Sequence, residues 1–259
     1  MSEFKRLGDD PEVLNFLRDI QSLRKKTEDA FPDEEECPHC DGYGYIVTDS
    51  DVRICECLKK RQLERRLRHS NIPARYKSKT LETFKADLDS RRLALRQVRR
   101  FVEEFDSSPE CPGLFLYGAP GTGKTHLAIG ALKALIEKGK SGIFYNMVSL
   151  AQDFRKQASG EPDEDTVERL ELVQDVDVLT LDDLGAGRLT DFVQEQIYSL
   201  VDHRYSENRC VIVTSNLGLR KLEEQITYPV LSRVRGMCFT VSTGDLDFRN
   251  PDLVPSAKK

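Results

Sequence analysis

Eight consecutive residues, Gly118-Ala-Pro-Gly-Thr-Gly-Lys-Thr125, fit the pattern G-x-x-x-x-G-K-[ST] at every fixed position. In such a loop the glycines let successive backbone N–H groups converge on phosphate oxygens, the lysine reaches the β- and γ-phosphates, and the final hydroxyl holds Mg²⁺. Gly118, Gly121, Gly123, Lys124 and Thr125 supply these parts; Ala119, Pro120, Thr122 and His126 complete the stretch expected to touch a nucleoside triphosphate. Further along, Asp175-Val-Asp-Val-Leu-Thr-Leu-Asp182-Asp183 is an apolar run ending in two carboxylates. By position, Asp182 is expected to hold the magnesium, directly or through water, and Asp183 to orient the attacking water. Many ATPases carry glutamate at the second place, and aspartate is one methylene shorter, so slow hydrolysis is expected. Cys210-Val-Ile-Val-Thr-Ser-Asn216 is another apolar run with a polar end, where Asn216 is placed to hydrogen-bond the lytic water or the γ-phosphate. Pro229-Val-Leu-Ser-Arg233-Val-Arg235 puts two guanidiniums on a short helix, and an arginine offered from there to a neighbouring subunit would stabilise transition-state charge.

A second chemistry lies near the amino terminus. Four of the seven cysteines fall between Cys37 and Cys57, in Cys37-Pro-His-Cys40-Asp-Gly-Tyr-Gly-Tyr-Ile46 and Arg53-Ile-Cys55-Glu-Cys57. The spacing has the shape of two ligand turns joined by a hairpin, and thiolates two or three residues apart bend around one tetrahedral Zn²⁺. The expected zinc ligands are Cys37, Cys40, Cys55 and Cys57, with His39 or His69 as replacements for one thiolate. An odd cysteine count bunched in this way reads as a metal site plus separate thiols rather than a disulfide framework. Cys111, Cys210 and Cys238 are then small apolar residues.

These groups need elements to hold them. Leu114–Tyr117 reads as a buried strand leading into the phosphate loop, and Lys124–Lys138 as the helix leaving it, with Leu127, Ala131, Leu132 and Leu135 at helical spacing before Gly139. Further strands are expected at Ile143–Met147, Val178–Leu181 and Cys210–Val213, each separated by helical segments, which argues for a mostly parallel sheet covered on both faces. Before the loop, Leu58–Ser70 reads as a basic helix and Asp89–Phe105 as a helix with Ala94, Val98, Phe101, Val102 and Phe105 toward a core. Asp10-Pro11-Glu12 opens an amphipathic helix carrying Val13, Phe16, Leu17, Ile20 and Leu23 on one face, followed by an acidic linker through Glu36.

The chain has 259 residues and a net charge of −5, yet between Leu58 and Arg100 it carries 15 Lys/Arg against 4 Asp/Glu. That stretch suits a polyanion, or else two solvated helices that balance the acidic stretch Glu161–Asp191. Arg91, Arg92 and Arg96 are its members expected to contact single-stranded DNA. No apolar run approaches the roughly 20 residues of a membrane span, and Met1-Ser-Glu-Phe-Lys-Arg lacks a secretion signal's apolar core, so a cytoplasmic protein that leaves membranes alone is expected.

Taken together, Gly118–Ala128 (GAPGTGKTHLA), Leu181–Gly185 (LDDLG), Thr214-Ser-Asn216, Ser232-Arg233 and Ile72-Pro-Ala-Arg-Tyr76 with Thr83-Phe84 resemble the AAA+ ATPases, and more narrowly the bacterial replicative-helicase loaders of the DnaC/DnaI type. The resemblance spans nearly the whole chain, and the cysteine module followed by a basic helix looks like the helicase-binding part of the DnaI branch. It implies an α/β fold, an AAA+ P-loop parallel sheet flanked by helices over residues 71–259, with a small zinc-binding, helicase-interacting module over residues 1–70. It further implies ATP, Mg²⁺ and Zn²⁺ as cofactors, with Lys124 and Thr125 on phosphate and metal, Asp182 and Asp183 on metal and water, and Asn216 as first sensor. Arg233 becomes the arginine acting in trans, with Arg235 competing for that role, and Arg249 a second sensor at the nucleotide. The implied partners are a hexameric replicative DNA helicase, single-stranded DNA, and further copies of the chain through AAA+ interfaces. Cys-Pro-His-Cys-Asp-Gly-Tyr-Gly also resembles one zinc repeat of the DnaJ-type chaperones, which use several. The rival readings are a transposition helper ATPase of the IstB type, a zinc-organised adaptor that binds ATP without hydrolysing it, and a small-molecule phosphotransferase.

Overall fold

The computed structural model describes residues 37–40, 42, 44–47, 52–107, 113–187 and 189–248. The amphipathic helix expected to follow Asp10, the acidic linker, Cys111 and Arg249 lie outside the described residues. The chain divides into two units, Met1–Arg65 and Arg66–Lys259.

In the first unit, β1 (Tyr45–Val47) pairs antiparallel with β2 (Val52–Ile54), Tyr45 opposite Ile54. Helix α1 (Glu56–His69) follows directly, and the division between the units falls within it. None of its residues is buried, in keeping with a sequence that is charged around most of its circumference.

The second unit is built on a five-stranded parallel sheet in the order β4-β5-β6-β3-β7. Its strands are β3 (Gly113–Tyr117), β4 (Gly142–Asn146), β5 (Val178–Asp182), β6 (Cys210–Ser215) and β7 (Cys238–Ser242). The three inner strands, and β4 at one edge, are apolar almost throughout because both sheet faces are covered. Helices α2 (Asp89–Glu104) and α3 (Lys124–Glu137) serve one face. On the other, α4 (Met147–Ser159), α5 (Glu164–Asp175), α6 (Asp191–Ser206) and α8 (Tyr228–Met237) close over Phe115, Leu179, Leu181, Val211 and Val213 in one apolar cluster; the short α7 (Leu219–Leu222) lies before α8.

The path of the chain sets where chemistry can occur. After β3 it crosses to the far edge at β4, steps back through β5 and β6, then passes over β3 to β7. The order reverses beside β3, and in such sheets ligands bind at the carboxyl ends of the strands flanking the reversal. That is where the phosphate loop, the Asp182–Asp183 pair and the Thr214-Ser-Asn216 end converge.

Two elements depart from the sequence reading. Met147 was expected to close a strand, but β4 stops at Asn146, whose side chain accepts a hydrogen bond from the Val148 amide at 2.9 Å and so caps α4. Strand β7 was not expected at all. It is an edge strand, with Phe239 and Thr240 exposed and only Val241 buried, so its composition lacks the apolar run that marks the inner strands.

One side chain fastens the carboxyl end of α5. Arg204 of α6 is fully buried, and its guanidinium donates to the carbonyls of Val173, Gln174, Val176, Asp177 and Cys210 at 2.7–3.2 Å. It thereby satisfies carbonyls at the carboxyl end of α5, where the helix dipole favours a cation, and ties them to the start of β6. Arg204→Met should lower the unfolding free energy by at least about 3 kcal/mol, because several buried carbonyls lose their donor at once. Urea denaturation followed by circular dichroism measures this, and a loss under about 1 kcal/mol would mean water replaces the guanidinium.

Candidate nucleotide site and thiol cluster

The phosphate loop joins β3 to α3 through backbone conformations that only glycine holds comfortably. Gly121 (φ +79°) and Gly123 (φ +98°) lie in the left-handed region. A Cβ on Gly123 would also meet the Phe84 ring at 2.6 Å, so side-chain bulk is excluded on two counts. The loop is latched from behind by the segment after β7: the Ala119 amide donates to the Gly244 carbonyl at 3.0 Å, and the Thr122 and Thr243 hydroxyls lie 2.6 Å apart. Lys124 is 5% exposed, and its ammonium donates to the Gly118 and Ala119 carbonyls at 2.9 and 2.8 Å, spanning the concave side of the loop.

The two acidic motifs meet this loop. Thr125 Oγ1 donates to Asp182 Oδ1 at 2.8 Å, and Thr214 Oγ1 donates to the same oxygen at 2.7 Å. The Thr214 hydroxyl in turn accepts from the Asp183 amide at 2.9 Å, so one threonine of β6 sets the positions of both acids. A hydroxyl and a carboxylate held together at the first turn of the phosphate-loop helix are the donor set for Mg²⁺, which takes oxygen ligands and retains waters. Asp183 is half-buried at φ +63°, a conformation aspartate tolerates at some cost, and its carbonyl accepts from Ala186 to close a turn. Thr214 had no assigned role in the sequence reading, though a hydroxyl at the end of an apolar strand beside the acidic one was the signal.

Burial pushes the Asp182 carboxyl above its ordinary value; the Thr214 hydrogen bond opposes that shift and the neighbouring Asp183 charge adds to it. A raised folded-state pKa means that ionised Asp182 costs the ligand-free fold stability at neutral pH, a cost relieved as pH falls through the folded value. Asp182→Asn should therefore raise the ligand-free thermal midpoint while cutting Mg²⁺-dependent ATP turnover by about a hundredfold or more. Thermal unfolding without nucleotide, set beside steady-state ATPase rates, tests the pair of effects.

The remaining expected residues divide. His126 lies in the first turn of α3, but its Nε2 is 2.8 Å from the Thr80 carbonyl and 3.2 Å from the Thr83 hydroxyl. Its ring meets Phe84 edge-on, and burial lowers its pKa, which keeps it neutral. Asn216 follows β6 immediately and is exposed at the carboxyl edge of the sheet. On α8, Arg233 donates to Asp202 at 2.7 Å and lies over the Tyr205 ring, while Arg235 pairs with Glu223 at 2.7 Å. Both arginines are thus oriented within the unit by carboxylates. Along α2 the basic residues separate: Arg92 and Arg96 are exposed, but Arg91 is only 7% exposed, so it cannot present itself to DNA as expected. Its position on α2 gives the reason, since Arg91 shares the inward face with Ala94 and Val98.

In the first unit the sulfurs of Cys37, Cys40, Cys55 and Cys57 all lie within 4.8 Å of one another. Cys37 and Cys55 are 3.7 Å apart and Cys40 and Cys57 3.3 Å. Tetrahedral Zn²⁺ with Zn–S bonds near 2.3 Å places its sulfurs about 3.8 Å apart, so the set fits the ion. The Gly44 amide donates to Cys40 Sγ at 3.2 Å and Arg61 to Cys57 Sγ at 3.3 Å, which are outer contacts that favour thiolate over thiol. The Cys57 backbone amide favours the Cys55 thiolate, but burial and the three neighbouring sulfurs outweigh it and push the group up to about 12. Four thiols this close ionise together only around a compensating cation. Neither His39 nor His69 belongs to this group.

Comparison with known proteins identifies the family. Residues 54–250 match the family model described as IstB-like ATP binding protein. The replicative helicase loader DnaC of Buchnera aphidicola subsp. Schizaphis graminum (strain Sg) is 29% identical over 192 residues, 74% of this chain and 76% of that one. The replicative helicase loader DnaI of Bacillus subtilis (strain 168) is 30% identical over 185 residues, 69% of this chain and 58% of that one. A crystal structure of the DnaC helicase loader superposes with a TM-score of 0.59 at 32% identity, covering 66% of this chain and 99% of the other. The chain belongs to the IstB-like ATP-binding protein family and, within it, is an AAA+ ATPase of the DnaC/DnaI helicase-loader type.

Proposed function

We propose that this protein is an ATP-dependent loader that binds a hexameric replicative DNA helicase through its amino-terminal module and delivers it onto single-stranded DNA at the start of replication in the cytoplasm. The observation that carries the reading is the junction of Thr125, Asp182 and Thr214 beneath the phosphate loop, within a chain whose relatives DnaC and DnaI are replicative helicase loaders. In this reading Lys124 and the loop amides bind the triphosphate, Thr125 and Asp182 hold Mg²⁺, Asp183 orients water, and Asn216 senses the γ-phosphate. Arg233 acts on the nucleotide of an adjacent copy, with Arg235 the competing candidate, and Arg249 on its own.

Hydrolysis serves as a switch. ATP favours an assembled state and its loss dissolves that state, so slow turnover at the short Asp183 side chain suffices where a motor would need speed. Single-stranded DNA meets exposed cations such as Arg92 and Arg96 of α2, which predicts steeply salt-dependent binding. The thiol cluster holds Zn²⁺ and shapes the helicase-binding module.

The test is co-purification of the full chain with the host replicative helicase in the presence of ATP. A stable complex that Cys55→Ser weakens supports the reading, whereas no complex at micromolar concentrations sinks it. The family description IstB-like favours one second reading, a transposition helper ATPase. That reading gains if the chain ignores the helicase and instead associates with a transposase on double-stranded DNA.

A further inference from the structure

Arg91 raises a question that the loader reading leaves open. The residue is a cation of α2, 93% withdrawn from solvent, and among the described residues it makes no ion pair within 4 Å. Its guanidinium carbon lies over two aromatic rings, 3.9 Å from the Phe248 centroid and 4.5 Å from the Phe84 centroid. Its Nε is buried without a hydrogen-bond partner. Burial of a charge at such a cost persists only where something offsets it, and two ring faces offset part of it.

The location identifies what supplies the rest. Phe84 is the ring that a Cβ on Gly123 would strike, and Arg91 Nη2 lies 3.5 Å from that same Cβ position. Phe248 also reaches the loop, its amide donating to the Gly121 carbonyl at 3.4 Å. The Phe84–Arg91–Phe248 stack therefore abuts both left-handed glycines of the phosphate loop. With two rings this close to the guanidinium carbon, its N–H groups are what it can offer a ligand. A full positive charge with in-plane donors beside a phosphate loop is suited to oxyanions rather than to a nucleobase stacked upon it.

Resting on the nucleotide-binding role of the loop, we propose that Arg91 is a nucleotide-binding residue whose buried cation is completed by the polyphosphate of bound ATP or ADP. Asp87 attracts the guanidinium only from beyond ion-pair distance, so the ligand provides the direct counter-charge and the residue stores part of the affinity as an unpaired charge in the ligand-free fold. Phe84 and Phe248 act as positioning residues that hold the guanidinium edge-on.

The experiment uses the full-length protein and three probes: ATP, ADP and adenosine. Arg91→Gln should weaken ATP and ADP binding about tenfold or more by calorimetry, with little change for adenosine. In the same variant the ligand-free thermal midpoint should hold or rise, because an unpaired buried charge has gone, while the ATP-induced shift shrinks. Arg91→Lys, which keeps the charge and loses the planar fork, should recover part of the affinity. A fall in the ligand-free midpoint with unchanged ATP affinity overturns the proposal and makes the stack purely structural. An equal loss for all three probes also overturns it, by moving the contact to the base. If the unsubstituted protein binds no ATP, the failure belongs to the loop and not to Arg91.

Discussion

Lys124→Ala should reduce ATP affinity by roughly a hundredfold or more while leaving the fold in place. The ammonium is 5% exposed and held against the carbonyls of the loop itself, so its removal takes away the cation that the loop carries for the β- and γ-phosphates. Removing one partner of a desolvated charge pair costs about 3 kcal/mol or more, which is about two powers of ten in affinity. The ligand-free protein loses the hydrogen bonds to the Gly118 and Ala119 carbonyls and the attraction between the ammonium and Asp182, while the apolar core of the unit is untouched. Calorimetry with ATP·Mg²⁺ measures the loss, and an unchanged circular dichroism spectrum certifies the fold. Asp183→Asn is the informative contrast: the shorter-range role of orienting water predicts retained ATP binding and lost turnover. A Lys124→Ala protein that still binds ATP tightly would remove the phosphate loop from the mechanism altogether.

The nucleotide site was legible in the sequence because its chemistry is written at fixed spacing in contiguous runs. Gly118–Thr125 requires glycines where the backbone turns left-handed, and Asp182-Asp183 ends a strand whose burial forces continuous apolarity. What escaped were groups whose meaning depends on a partner far along the chain. Thr214 looks like ordinary turn chemistry until β6 is set parallel beside β5, with Leu181 opposite Val213, which brings its hydroxyl to Asp182. The latch of Thr243 and Gly244 on the loop depends on β7, an edge strand without an apolar run. Arg91 and Arg92 are adjacent in sequence and alike in charge, yet a helix turns 100° per residue and sends one to a buried aromatic stack and the other to solvent. Charge counting cannot separate them; the positions of Ala94 and Val98 on the same helix can.

The full-length protein should carry one zinc per chain, and stripping it should expose four thiols that are otherwise protected. Cys40 and Cys55 are buried, at 6% and 2% exposure, in a unit whose described regular structure is one hairpin of two three-residue strands and the start of α1. Such a hairpin is not stable alone in water, and metal–thiolate bonds would supply the free energy that orders it. Because each thiolate must shed a proton to bind, zinc affinity should rise steeply with pH from mildly acidic conditions upward, a proton dependence steeper than one ligand could give. Elemental analysis fixes the stoichiometry, and a thiol reagent applied before and after chelation counts the protected cysteines. Cys55→Ser should lower zinc content at least tenfold, since it removes the most deeply buried ligand and leaves three sulfurs and an open position. ATP binding should survive chelation, because the loop, Asp182 and Thr214 belong to a unit with its own apolar core. Full thiol reactivity before any chelator is added would show that the four sulfurs come together without a metal and that the hairpin is held by something else.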